Sequence, residues 1–321
     1  MTRFFRSRKL LAACAVLLTA GVLQFTGVNP AASQAVLLVA YESPRDPGLD
    51  PASPAWDAIR AVEIPLTAQR GSYAAGGGSV ATVRLKALHY GGRLYVRAEW
   101  TDRTENASAL RVEDFTDAAA LEFPSRTAAV VPSVCMGQPD AGVNIWYWRA
   151  DVDAGSVDLA AAYPNMHVDG YPFEDDTFLT ARGAGNPVAA DNPVQTLTSR
   201  LFGYLTTSPV QDAAGKGMRT DTGWAVVFAR PFRSPGPDHA DFAPGARTDL
   251  AVAVWDGANQ ERDGMKSVSQ FITLQVAAAG LPGEGGIDGR FVAIAAILLV
   301  GLSGIGIGLA LYGAAERSRQ P

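Results

Sequence analysis

A lysine at the junction of a polar loop and a strand is the first residue in this sequence that could do chemistry. Lys266 follows the stretch "NQERDGM" and precedes "SVSQF", an alternating run of the kind that β-strands use. A strand entrance would give its side chain a rigid base. Most lysines are solvated cations, so this position alone indicates only a surface charge.

Residue types exclude several common chemistries. The histidines (His89, His167 and His239) and the cysteines (Cys14 and Cys135) are dispersed along 321 residues. They therefore cannot form a zinc finger or an iron–sulfur cluster. The sequence contains no Cys-x-x-Cys-His for covalent haem attachment. It also lacks a P-loop, a Gly-x-Ser-x-Gly elbow and a Gly-x-Gly-x-x-Gly turn after a strand.

Acidic residues between positions 102 and 117 raise the question of calcium. Asp102, Glu105, Asp114 and Asp117 lack the spacing of an EF-hand loop. We therefore interpret them as turn and loop residues.

The first 35 residues have the order of a secretory signal. Four basic residues within the first nine positions precede an uncharged apolar run and the small-residue sequence Ser33-Gln34-Ala35. We expect residues 1–35 to be a signal peptide, with a retained signal anchor as the alternative. The signal holds four of the 27 basic residues and none of the 32 acidic ones, so the remaining chain has a net charge of −9. This charge makes nucleic acid an unfavourable partner.

A second apolar segment lies near the C-terminus. Residues 291–312 form 22 positions without a charge, enough at about 1.5 Å per residue to cross a hydrocarbon core of roughly 30 Å. Arg317 and Arg319 follow this segment, so the positive-inside rule places residues 313–321 in the cytoplasm. The sequence thus predicts a single-pass membrane protein with its main domain, 36–279, on the periplasmic or extracellular side, joined to the transmembrane helix by a Gly-rich linker at 280–290.

Period-two alternation dominates the main domain. Gly91-Gly92 separates two alternating runs and predicts a tight β-hairpin. Short strands spaced by Gly, Pro and Asp predict an all-β fold, an antiparallel sandwich or barrel, of which we favour the antiparallel β-sandwich. Residues 163–193 are Pro-rich without a clear period and predict a long irregular excursion. The strand candidates are 61–66, 83–88, 94–100, 118–123, 143–150, 157–162, 224–230, 250–255 and 268–276.

Local phrases, taken in chain order, resemble one protein family. They are similar to the haem b-binding gamma subunits of type II enzymes of the dimethyl sulfoxide reductase family, which include ethylbenzene dehydrogenase, dimethylsulfide dehydrogenase, selenate reductase and chlorate reductase. The resemblance covers residues 50–276, and its most specific parts are the Met-Gly of "VCMGQP" and the closing "WDGANQERDGMKSVSQF". The other phrases are "PAWDAIRAVEIPLTAQ", "LYVRAEWTDRT", "DFTDAAALEFP", "GVNIWYWRAD" and "DTGWAVVFARPF".

The resemblance implies a β-sandwich that holds one noncovalent haem b, with a methionine and a lysine as axial ligands. Carried onto this sequence, the methionine is Met136 and the lysine is Lys266. Asn144 and Arg149 are further candidates for contact with the haem or its propionates. The resemblance also implies two partners, a molybdopterin catalytic subunit and an iron–sulfur subunit. The chain would relay electrons between these partners and the respiratory chain.

The donor chemistry of the two proposed ligands agrees with this implication. A thioether is a soft neutral donor that tends to raise the potential of haem iron. Lysine must lose its proton first, and both burial and competition from a ferric centre favour the neutral amine. With both axial positions filled by protein, the iron would have no vacant site for substrate, so one-electron transfer is the expected role.

Other interpretations stay open at this point. Met136 could be a core gap-filler, and Met265 could replace Lys266 as a ligand if the strand register differs. We interpret His239 as a solvated loop residue and Cys135 as a packing residue. The competing function is an exported carbohydrate-binding β-sandwich without a redox cofactor, in which Trp and Tyr residues would form an exposed platform. The C-terminal membrane segment also departs from the family, whose gamma subunits mostly lack one.

Overall fold

The computed structural model describes the central part of the chain, in residues 36–70, 75–109, 111, 113–155, 165 and 192–278. The expected signal peptide, linker, membrane span and cytoplasmic tail lie outside these residues. So do the strand predicted at 157–162 and most of the predicted excursion. No helix within the described part is long and apolar enough to cross a bilayer.

The described residues form a fold made almost entirely of strands. One short helix, α1 (Ala150–Asp153), and two 3₁₀ helices (Pro54–Ala58 and Gly257–Asn259) interrupt them. The strands are β1 (Leu37–Glu42), β2 (Val62–Pro65), β3 (Thr67–Arg70), β4 (Ala75–Gly76), β5 (Thr82–Tyr90), β6 (Arg93–Thr101), β7 (Ala118–Pro124), β8 (Val143–Arg149), β9 (Val194–Ser199), β10 (Thr206–Thr207), β11 (Ala214–Arg219), β12 (Gly223–Pro231), β13 (Arg247–Trp255), β14 (Ser267–Val268) and β15 (Ile272–Val276).

β2 pairs with β5, β14 with β13 and β3, and β4 with β3, whereas the other eleven described strands pair along one path that folds back at β13. The order is β10-β9-β8-β7-β13-β15-β1-β5-β6-β12-β11. The first half of β13 pairs with β15, and the second half, from Ala251 to Trp255, pairs with β7. We call the arm from β15 to β11 the first layer and the arm from β7 to β10 the second layer.

Aromatic side chains hold the two layers face to face. The Trp148 ring of β8 lies 5.1 Å from the Trp224 ring of β12 and 6.1 Å from the Trp100 ring of β6, measured between centroids. All three tryptophans are buried. The predicted sandwich architecture therefore describes these residues, with β13 belonging to both layers.

The predicted hairpin is confirmed. Gly91 and Gly92 have φ values of 55° and 74°, as the two central residues of a type I′ turn require. Tyr90 pairs with Arg93, and the register continues to Val83 opposite Trp100. The hairpin forms the centre of the first layer.

The prediction of an entirely antiparallel arrangement is wrong for β1. This strand lies between β15 and β5 and runs parallel to both. Leu38 and Ala40 are buried, but Leu37 and Val39, which alternate with them, are also apolar. Because the alternation has no polar contrast, the segment gave no strand signal in the sequence.

Asn144 and a buried arginine form a polar cluster between the layers. Arg230 is fully buried and donates from Nη1 to Asn144 Oδ1 at 2.8 Å. Its guanidinium lies over the Trp146 ring, 5.2 Å from the centroid, and burial lowers its pKa to about 10. Asn144 Oδ1 also accepts from Trp146 Nε1 at 3.2 Å, and Asn144 Nδ2 donates to the Leu197 carbonyl at 3.1 Å.

The interpretation of His239 as a solvated loop residue is wrong. His239 is completely buried. Its Nε2 lies 2.7 Å from Ser208 Oγ and its Nδ1 lies 2.6 Å from Ser234 Oγ. The polar loop around it suggested solvent, but two serine hydroxyls satisfy the ring inside the protein, and Asp212 Oδ1 lies 3.3 Å from Nδ1.

Candidate cofactor site

The outer face of the second layer is lined by small side chains. Asn144, Trp146 and Trp148 point toward the first layer, so the alternating residues Ile145 and Tyr147 point outward. On the neighbouring strands most of the outward positions are alanines: Ala118 and Ala120 on β7, Ala251 and Ala253 on β13. These short side chains leave space above the sheet.

A cavity of about 300 Å³ occupies this space, a volume at the lower end of the range for ligand pockets. Ala120, Ile145, Leu197, Ala253 and Trp255 line it from the sheet. Three loops complete the lining and contribute Met136, Phe202 and Lys266. The sheet therefore supplies an apolar surface, and the loops supply the side chains with donor atoms.

Met136 is held on a strained turn. Its φ is 72°, in the left-handed region that residues other than glycine rarely adopt. The turn is closed by a hydrogen bond from Gly137 N to the Ser133 carbonyl at 2.8 Å. A Cβ at Gly137 would lie 2.9 Å from the Ala141 carbonyl oxygen, so the Met-Gly pair fits this turn tightly. Strain of this kind persists where the surrounding structure fixes it, and it is concentrated at functional sites.

Lys266 lies directly before β14 and is the buried lysine of the cavity lining. Only 8% of its surface is exposed, and its Nζ lies 5.0 Å from the centroid of the Trp255 ring. Its backbone carbonyl accepts a hydrogen bond from Gln69 N at 3.0 Å. Gly77 packs directly on the Lys266 backbone, because an added Cβ there would lie 2.3 Å from Lys266 N. Burial lowers the pKa of Lys266, and the nearby Glu122 opposes this shift.

Glu122 is a polar residue of the cavity that we did not predict from the sequence. It shares the outward face of β7 with Ala120, and its Oε1 is buried without a hydrogen-bond partner among the described residues. Burial raises its pKa to about 8, an effect that Lys266 partly offsets. The single acid in the alanine-rich strand "AAALEF" was the available sequence signal. A buried carboxylate beside a buried amine gives this apolar cavity one local polar region.

Replacing Glu122 with glutamine should weaken the pH dependence of stability. The folded pKa of about 8 lies above the ordinary 4.5, so between these values the unfolded chain releases a proton that the folded chain retains. Stability therefore falls as pH rises, by up to about 1.4 kcal/mol per pH unit. In cofactor-free Glu122→Gln, thermal unfolding between pH 4.5 and 8 should show a shallower fall. The matched variant Glu63→Gln, at an exposed position of β2, should keep the wild-type slope; an unchanged slope in Glu122→Gln would contradict the assignment.

The structure brings together two of the four predicted site residues. Met136 and Lys266, 130 positions apart, line the same cavity. Asn144 points between the layers, and Arg149 at the end of β8 donates from Nε to Asp151 Oδ1 at 3.0 Å; neither lines the cavity. Met265 is 43% exposed and lies beside Gly76, so it and Lys266 are directed to different surroundings.

All six tryptophans of the chain are buried. Four of them (Trp100, Trp146, Trp148 and Trp224) lie between the layers, and Trp255 lines the cavity. No tryptophan of the described residues therefore belongs to the exposed platform of Trp and Tyr expected of a carbohydrate-binding module.

Similarity to known proteins covers the residues that build this cavity. The sequence profile of the ethylbenzene dehydrogenase family matches residues 53–267, a range that includes both Met136 and Lys266. A respiratory nitrate reductase heme subunit from Haloferax mediterranei is 31% identical over 274 residues, 83% of each chain. Chlorate reductase subunit gamma from Ideonella dechloratans is 32% identical over 60% of this chain and 64% of its own length. Dimethylsulfide dehydrogenase subunit gamma from Rhodovulum sulfidophilum is 31% identical over 60% of each chain.

Similarity to solved structures is much lower. A family 9 carbohydrate binding module from Caldicellulosiruptor kristjanssonii, in complex with glucose, aligns over 76% of this chain and 97% of its own, with 9% identity and a TM-score of 0.39. These values are too low to support a functional comparison.

Proposed function

Because the chain belongs to the ethylbenzene dehydrogenase family of haem-binding gamma subunits, we propose that it is a b-type cytochrome subunit that relays single electrons. The observation that carries the proposal is the presence of Met136 and Lys266 in one apolar cavity. We propose these two side chains as the axial ligands of a noncovalent haem. When bound, the haem would supply reversible one-electron oxidation and reduction.

The side chains that line the cavity offer donor atoms suited to haem iron. The Met136 thioether is a soft neutral donor, and burial of Lys266 favours the uncharged amine that a metal requires. The alanine-rich floor offers short apolar side chains to a flat apolar group. No described cysteine pair offers covalent attachment, since Cys135 is the free cysteine of this region.

Each part of the protein would have a separate task in such a site. The strained turn at Met136 fixes the backbone from which the thioether would reach the haem. Packing of Lys266 against Gly77 and Trp255 does the same for the amine. Glu122 is placed to hold a proton near Lys266 while the amine stays neutral. The apolar walls exclude water from the donors.

The partners in this proposal follow from the relatives. Chlorate reductase and dimethylsulfide dehydrogenase each have a gamma subunit similar to this chain. We therefore propose that the chain also assembles with a molybdopterin catalytic subunit and an iron–sulfur subunit. Residues 291–312 support a further proposal, that the domain is tethered on the periplasmic or extracellular side of the cell membrane. Recovery of the full-length protein in the carbonate-washed soluble fraction would exclude the tether.

An absorption spectrum tests the proposed cofactor. Purified full-length protein should show a Soret band and, after reduction, the α band of a b-type haem. Extraction with acidified solvent should release the pigment, because noncovalent haem leaves the protein. Protein that is folded by circular dichroism but binds no added haemin would exclude the cytochrome hypothesis.

Replacing Met136 with leucine tests the sulfur ligand. Leucine has a similar volume, and exchanges of this type usually cost less than about 1.5 kcal/mol, so the fold should persist. Loss of the thioether should lower the reduction potential of the bound haem and weaken the low-spin spectrum. Redox titration and absorption spectroscopy check both effects. Met265→Leu, at the exposed neighbour of Lys266, is the matched control and should leave the potential unchanged; an unaltered potential in Met136→Leu would assign the ligand elsewhere.

A further inference from the structure

Three buried carboxylates form a cluster outside the cofactor cavity. Asp102, Asp117 and Asp256 are 4%, 0% and 8% exposed. One oxygen from each lies within 4.8 Å of the other two. Asp102 follows β6, Asp117 precedes β7 and Asp256 follows β13. Three separate strands therefore place their acidic residues at one point.

Most of the hydrogen-bonding capacity of Asp117 is filled. Its Oδ2 accepts from Asn106 N at 2.8 Å and from Trp224 Nε1 at 3.0 Å. Its Oδ1 accepts from Gly257 N at 2.9 Å. Since each carboxylate oxygen has two lone pairs, Oδ1 retains one. This oxygen is fixed in position and still able to bind a further group.

Asp102 has an oxygen with no partner at all. Its Oδ1 accepts from Thr104 N at 2.9 Å and from Thr104 Oγ1 at 3.0 Å. Its Oδ2 is buried and has no hydrogen-bond partner among the described residues. The same is true of the side-chain oxygen of Asn106, whose backbone N–H binds Asp117. Leaving a buried charged oxygen unpaired costs several kcal/mol, so this oxygen points to a missing ligand.

Asp256 completes the set. It accepts from Asn259 N at 3.3 Å through Oδ1 and from Asn259 Nδ2 at 2.7 Å through Oδ2, so each of its oxygens keeps a lone pair. The cluster thus offers acceptor sites on all three carboxylates. None of the described donors occupies these sites.

The charge of the cluster is only partly balanced. Arg219 is a cation close to Asp102, and its Nη2 donates to the Asp102 carbonyl at 3.2 Å, not to a carboxylate. Its guanidinium lies over the Trp224 ring, 5.0 Å from the centroid. Three carboxylates and one guanidinium leave two negative charges, which one divalent cation would neutralise.

We propose that Asp102, Asp117 and Asp256 bind one calcium ion. The ligands are all hard oxygens, which suit calcium, and calcium accepts a flexible set of six to eight oxygens that waters can complete. Magnesium requires a more regular octahedron. The earlier interpretation of Asp102 and Asp117 as loop residues could not include this site, because Asp256 is 139 positions further along the chain than Asp117.

Calcium binding by the purified full-length protein tests this site independently of haem. After treatment with a chelator and desalting, calorimetric titration with CaCl₂ should show one site per chain. The thermal midpoint should fall on chelation and recover with CaCl₂. Absence of binding heat together with an unchanged midpoint would overturn the proposal. An equal response to MgCl₂ would overturn the assignment to calcium.

Two matched variants locate the ion. Asp102→Asn should weaken calcium affinity by more than about tenfold, since even changes outside the ligand shell cause such losses. Glu105→Gln, at an exposed position of the same segment, should bind calcium as the wild type does. Without a cation site, Asp102→Asn would instead relieve repulsion and raise the thermal midpoint equally with and without CaCl₂, and that result would refute the site. The titration of the wild type decides the question even if the variant does not fold.

Discussion

The variant Lys266→Ala should lose the low-spin haem spectrum completely. Alanine has no donor atom, and the described residues around Lys266 offer no second amine that could replace it. The substitution also removes a buried side chain packed on Trp255, so water would enter the cavity. We expect haem affinity to fall by at least about tenfold and the residual bound haem to become high-spin. Titration of the cofactor-free protein with haemin, followed at the Soret band, measures both changes.

Lys216→Ala is the matched control for this result. Lys216 is an exposed lysine on β11, so its removal should leave haem affinity and spin state unchanged. Both variants should retain the β-rich circular dichroism spectrum of the wild type. An unaltered low-spin spectrum in folded Lys266→Ala would remove Lys266 from the ligand set.

The variant Gly77→Ala should destabilise the protein and disturb Lys266 at the same time. The φ of Gly77 is 74°, which costs a residue with a Cβ about 1–2 kcal/mol. The new Cβ would also lie 2.3 Å from Lys266 N and 2.7 Å from Lys266 Cα, and a backbone contact of this kind cannot be relieved by a side-chain rotation. Together these effects should exceed about 3 kcal/mol. Chemical denaturation and haemin titration should both show a large loss.

Gly91→Ala separates the two contributions. Gly91 has a φ of 55° but nothing lies within 4 Å of a Cβ added there. It should therefore show only the backbone cost of about 1–2 kcal/mol and normal haem binding. Equal losses in the two variants would mean that the contact between Gly77 and Lys266 has no role.

Sequence patterns predicted the strands whose two faces differ in polarity. The hairpin of β5 and β6 was evident because Arg84 and Lys86 alternate with buried Val83 and Leu85. β1 and β9 were missed for different reasons. β1 is apolar on both faces, and β9 directly follows the Pro-rich region in which we expected no regular structure.

The ligands of the candidate site were available from the sequence only through a family resemblance. No local pattern links Met136 to Lys266, because their proximity depends on the pairing of β13 with both β7 and β14. The left-handed φ of Met136 and the approach of Gly77 to Lys266 are properties of tertiary packing. Asn144 was chosen for its position in a matching phrase, whereas the parity of β8 directs its side chain between the layers.

The strand β13 gives the domain a mechanical property that neither layer has alone. Its first half pairs with β15 in the first layer, and its second half pairs with β7 in the second layer and with β14. Separating either layer from β13 would break hydrogen bonds of this strand and expose the tryptophans packed between the layers. The two layers should therefore unfold in one cooperative transition. A partner that binds one layer would then also stabilise the other.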